Sequence, residues 1–154
     1  MNLMRNAMAL LAAMLMAAAG VGQDRSDARD RFAGAWRLAR LEQPGADAKI
    51  HDVDCSGLFV FTRDGHASVQ VMDRHPQAAK AAGPEQYSQG GYEASWGTYQ
   101  VDERTHTFTF HIDGALVRTL VGKDLPRSYE FSGNQLIIKS TRADEHWRVT
   151  WERY

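Results

Sequence analysis

The sequence has a single cysteine, Cys55, among 154 residues, so no intramolecular disulfide can form. Stability has to come from a packed core. No charge sign dominates: Lys plus Arg number 18 against 19 for Asp plus Glu, a formal net charge of −1. There is no basic patch and no block of like charges, which argues against a nucleic-acid partner and against an electrostatic membrane surface. The longest apolar run, Ala7–Val21, is shorter than the ~20 residues a membrane-spanning helix needs. Signatures of nucleophilic catalysis are missing as well. No G-x-S-x-G occurs and Cys55 has no partner nearby in sequence. Asp64-Gly65 carries too few glycines for a phosphate loop, and no helix follows it. The six histidines (His51, His66, His75, His106, His111 and His146) are scattered, and none has the i, i+4 spacing of a helical ligand pair. No metal and no cofactor is expected.

What the N-terminus does have is a leader pattern. Arg5 is the only charge before Asp24, and an Ala-, Leu- and Met-rich stretch follows it, ending in small residues. That pattern predicts a signal peptide over residues 1–22, with cleavage after Ala19 or Gly22. The expected location is the periplasm or outside the cell, with no stable membrane insertion once the leader is gone. The alternative, an uncleaved helical anchor, would span a bilayer poorly. Residues 23–31 read as a polar linker or a short helix. About 130 residues remain, enough for one domain over residues 32–154.

Within that domain the apolar residues mostly recur with period two, the signal of half-buried strands. Trp36, Leu38 and Arg40 form the first set, which stops at Pro44-Gly45; residues 46–56 read as a loop. Leu58–Thr62 and the run Ala67, Val69, Val71 flank Asp64-Gly65, a strong hairpin signal. His75–Ala82 is Ala-rich, contains Pro76 and reads as a short helix. Tyr92–Tyr99, Thr107–Asp113, Arg127–Phe131, Leu136–Lys139 and Trp147–Glu152 supply further alternating segments, joined mostly by tight turns. About eight sequential strands with no helices between them predict an antiparallel up-and-down meander. Closing it into a barrel removes both edges; an open sandwich is the alternative. A barrel of this size is either filled by side chains or holds one small ligand.

With the strands placed, several strings resemble those of a known family. Gly34-Ala35-Trp36-Arg37-Leu38 resembles the opening G-x-W-x-L strand of lipocalins. Gly57-Leu58-Phe59-Val60-Phe61-Thr62-Arg63-Asp64-Gly65 resembles a G-L-x-x-Y-T-x-D-G hairpin, and Trp96-Gly97-Thr98-Tyr99 a Y-F-G-T-Y strand. Thr109 to Leu116 resembles T-H-H-V-E-G-S-L. Val121 to Asp124 with Arg127 to Phe131 resembles V-G-T-D-Q-V-R-x-Y-E, and Thr150-Trp151-Glu152-Arg153 matches T-W-E-R. In this order they resemble the bacterial lipocalin-like domain family over nearly all of the mature chain. The resemblance implies an all-β, lipocalin-like antiparallel barrel with an internal cavity, and names no ligand. The chain departs from the pattern at Phe110, where the family has the first of two histidines, at Arg118-Thr119, which replace Pro-Asn, and at Leu125, which replaces Gln. The resemblance further implies a lid at the closed end: Trp36 covered by an Arg of a late strand, Arg127 or Arg153.

Candidate site residues follow from strand phase and composition. Trp36, Phe61, Trp96, Tyr99, Phe108, Phe110, Tyr129 and Trp147 are expected to line the interior, with Tyr99 and Arg127 as polar anchors for a small, mainly apolar molecule. A filled core, in a structural or partner-binding domain, is the competing role for the same aromatics, and a cavity below ~300 Å³ would favour it. His111 lies two residues from Asp113 on one strand face, with roughly 7 Å between side chains. A His beside a carboxylate can move protons, so His111 or Tyr99 would serve an isomerase or cyclase. Phase puts His111 outward, because Phe108, Phe110 and Ile112 are the inward set; only a bulge near Gly114 would re-aim it. Cys55 is expected to be buried at the start of a strand.

Overall fold

A computed structural model describes residues 27–75 and 91–154. The predicted leader and most of the helix expected over His75–Ala82 lie outside the described residues.

The chain starts with a single helical turn, α1 (Ala28–Phe32), and continues through nine strands: β1 (Gly34–Pro44), β2 (Ile50–Asp52), β3 (Cys55–Phe61), β4 (His66–Asp73), β5 (Tyr92–Asp102), β6 (Thr107–Ala115), β7 (Asp124–Ser132), β8 (Gln135–Ser140) and β9 (Arg148–Arg153). All pairings are antiparallel, and β1 pairs with both β3 and β9, so eight strands close into a barrel. β2 is an extra strand laid against the far end of β1, with Glu42 opposite Asp52. It occupies part of the stretch expected to be a loop.

The alternation that predicts the strands also predicts their faces, except where a bulge shifts the phase. In β1, Leu38 pairs with Trp151 and Arg40 with Thr150, leaving Ala39 as an extra residue. Trp36 is therefore buried ahead of the bulge, whereas beyond it Leu41 and Gln43 turn inward. Arg40, expected in phase with Trp36 and Leu38, instead points out and donates to Asp52 at 2.7 Å. A second bulge lies in β6: Ile112 pairs with Gly97 and Gly114 with Trp96, so Asp113 is extra. β5 approaches β6 so closely there that a Cβ on Gly97 would stand 1.9 Å from the His111 carbonyl oxygen. β7 tolerates Pro126 because only β6 flanks it at that point; β8 pairing begins one residue later, at Arg127.

α1 plugs one end of the barrel. Asp27 caps it by accepting from the Arg29 amide, and Glu103 accepts from the Ala28 amide at 2.9 Å. These contacts deliver Phe32, fully buried, onto the barrel axis. Its ring meets Phe61 at 5.0 Å, Phe108 at 5.2 Å, Tyr129 at 4.9 Å and Phe131 at 5.1 Å, mostly edge to face. Burying one such ring contributes about 1.5–3 kcal/mol. Trp36 donates from Nε1 to the Phe32 carbonyl at 2.8 Å, tying the first strand to the plug. Arg153 then covers Trp36, its guanidinium 4.2 Å from the ring centroid, and donates to the carbonyls of Ala33 and Arg31. Of the two arginines considered for this lid, Arg153 takes it and Arg127 does not. Gly34 accommodates the lid: its φ is +134°, and a Cβ there would lie 2.7 Å from an Arg153 nitrogen.

Candidate functional site

At the end opposite α1 the barrel holds a cavity of about 280 Å³. All eight barrel strands contribute to its lining. Phe59, Phe108, Phe110 and Trp151 border it on the side of the packed core, each 5% exposed or less. Val69, Val71, Leu125, Ile138 and Val149 continue the apolar wall. Ser95, Gln43, Glu93 and Arg127 are the polar members.

Arg127 is held in an unusual setting. Its guanidinium lies 5.0 Å from the Trp147 ring centroid and donates to the Pro126 carbonyl at 3.0 Å. Among the described residues no carboxylate comes within 4.0 Å of it. Partial burial pulls its pKa below the ordinary arginine value, and the more distant Glu145 and Glu93 oppose that shift. Glu145 is occupied elsewhere. It accepts from Ser140 at 2.5 Å and from the Trp147 indole at 3.2 Å, and pairs with Arg142. Ser140 and Trp147 hold its carboxyl below the usual glutamate range.

Of the residues expected to line a pocket, Phe108, Phe110, Arg127 and Trp147 come together at this cavity. Trp36, Phe61, Tyr99 and Tyr129 do not. They belong to the packed end around Phe32, where Tyr99 donates from its hydroxyl to the Thr62 carbonyl at 2.9 Å. Burial raises the pKa of both tyrosines, most directly through desolvation. Trp96 is outside altogether, 57% exposed, lying across Gly114, where a Cβ would be 2.3 Å from its indole nitrogen. The reason is parity: Trp96 and Tyr99 are three residues apart on a strand whose own alternation is unbroken, so they face opposite ways. The expectation that both line one interior is corrected on that ground.

His111 also faces outward. Its Nδ1 lies 2.7 Å from Asp124 and its Nε2 3.7 Å from Asp113. The bulge follows His111 rather than preceding it, so it leaves the imidazole outside and brings Asp113 closer than the expected spacing. Neither group offered for proton transfer, His111 or Tyr99, reaches the cavity. Cys55 opens β3 as expected but is half-buried rather than buried. Desolvation, then Asp73 and Asp54, raises its thiol pKa and disfavours the reactive thiolate. Among the described residues no group of three His, Cys, Asp or Glu is arranged to hold a metal ion.

Several lining residues went unnamed as site candidates. Val69 and Val71 were legible as the inward set of β4, and Phe59 and Trp151 as strand aromatics. Leu41 and Gln43 were hidden by the bulge at Ala39, which no residue type announces. Glu93 and Ser95 share the inward parity of Tyr99, but polar residues carry no burial signal of their own.

Comparison with known families agrees with this architecture. The family model described as the lipocalin-like domain matches residues 33–154. No curated protein matches the chain.

Proposed function

The chain belongs to the lipocalin-like domain family, and on that premise we propose that it is an exported binding protein for a small, mainly apolar molecule held at the end of the barrel opposite α1. One observation carries the reading: the cavity is walled by aromatic and aliphatic side chains from all eight barrel strands, with few polar groups among them. Export rests on the leader pattern of residues 1–22. At about 280 Å³ the space lies just under the ~300 Å³ mark, so by volume alone the filled core is favoured by a narrow margin, and any molecule that the cavity takes is small. The filled-core reading has its own support, the solid packing around Phe32, and it describes that end of the barrel. The isomerase or cyclase reading has lost both residues proposed to move the proton.

Tryptophan fluorescence tests the binding reading, because Trp147 and Trp151 border the cavity. Titration with a panel of small lipophilic compounds is expected to quench or shift the emission saturably. A Val71→Phe variant, which fills the space, is expected to fold and to lose the response. No response from any compound, or an undiminished response in Val71→Phe, contradicts the proposal.

A further inference from the structure

Arg127 sets the chemistry of the ligand more narrowly than its apolar surroundings do. A guanidinium carries five N–H donors in a planar fork, and Arg127 spends one hydrogen bond on the adjacent Pro126 carbonyl. Several arginines on the outer surface have carboxylate partners: Arg37 pairs with Glu152, Arg40 with Asp52, Arg74 with Asp54 and Arg142 with Asp144. Arg127 faces an apolar cavity and has none within 4.0 Å among the described residues. Removing a cation partly from water and leaving it unpaired is costly. The Trp147 face offsets some of that cost and holds the guanidinium in place, leaving its edge donors for something else.

We propose that the cavity takes a small apolar monocarboxylate, its head group gripped by the edge of the Arg127 guanidinium over Trp147 and its body packed against Phe59, Phe110 and Trp151. This rests on the pocket reading above and adds the charge of the ligand to it. Carboxylate geometry matches the guanidinium fork in a bidentate pair. A doubly charged phosphate fits less well, because Arg127 is the one cation in the lining among the described residues and Glu93 and Glu145 lie near enough to influence it. Glu145 stays engaged with Ser140, Trp147 and Arg142, so it leaves the fork open to a ligand. The Ser95 hydroxyl offers a second polar contact on the cavity wall.

The test is calorimetric titration of the full mature protein with octanoate and, separately, with 1-octanol, its neutral counterpart. The unmodified protein is expected to bind octanoate about tenfold or more tighter than octanol, the worth of a charge-assisted pair. Arg127→Gln is expected to erase that preference, octanoate affinity falling about tenfold to the level of octanol. Arg127→Lys, which keeps the charge and loses the fork, is expected to retain part of it, and decides the matter if Arg127→Gln does not fold. Equal binding of the two probes, or an octanoate preference that survives in both variants, overturns the carboxylate assignment and leaves the pocket standing. Binding of neither probe removes the pocket reading and this inference with it.

Discussion

The two ends of the barrel are made from similar side chains, yet one is solid and the other hollow. At the α1 end, Phe32 stands on the axis and four rings meet it at 4.9–5.2 Å. At the far end Phe59, Phe110 and Trp151 turn the same kind of surface toward a cavity of about 280 Å³. The difference lies less in strand composition than in what the chain brings to each end. A turn of helix, held by Asp27 and Glu103, adds one ring beyond what the strands themselves provide, and Arg153 and Trp36 latch it. At the far end, the bulge at Ala39 directs Leu41 and Gln43 inward and the rim receives Arg127 and Trp147. Stability is thus concentrated where the helix docks, and the proposed binding lies at the other end, where no such plug stands among the described residues.

Substitutions can break that contrast. The largest effect is expected from Phe32→Ala, which removes a fully buried ring from the centre of the aromatic cluster and should cost about 3–5 kcal/mol in urea unfolding. A loss below about 1 kcal/mol would mean that the α1 end is not the stable one. Arg153→Met comes next. It deletes the lid over Trp36 and the hydrogen bonds to the Ala33 and Arg31 carbonyls, and should cost about 2 kcal/mol while leaving ligand affinity at the far end unchanged. Changed affinity would show that the two ends are coupled. The smallest effect belongs to Trp96→Ser. With Trp96 on the outer surface, its replacement should stay within about 0.5 kcal/mol in stability and should not alter binding. Lost binding would return Trp96 to the interior, where composition alone had put it.

Much of this architecture was legible in the residues. Alternation over Thr107–Ile112 and the Asp64-Gly65 turn are local signals, and the barrel follows from sequential hairpins once both edges must be satisfied. The candidate site was legible in part. Phe108, Phe110 and Arg127 have the right parity on long, regular strands. Trp36, Phe61, Tyr99 and Tyr129 have it too, and what separates them from the cavity is axial position relative to Phe32. That is a tertiary fact fixed by where a single helical turn docks. Bulges account for the rest: one extra residue at Ala39 changes which side chains of β1 face inward without leaving a mark in composition. Trp96 shows a different failure, since its size suggested burial while its parity with Tyr99 already excluded it.

The most direct test follows backbone amides in a two-dimensional NMR titration with 1-octanol. The division of the barrel predicts shifts clustered at Val69, Val71, Ser95, Phe110, Leu125 and Val149, with α1, Phe61 and Tyr99 unmoved. Shifts centred on α1 and the Phe32 cluster, or spread evenly around the barrel, would contradict it.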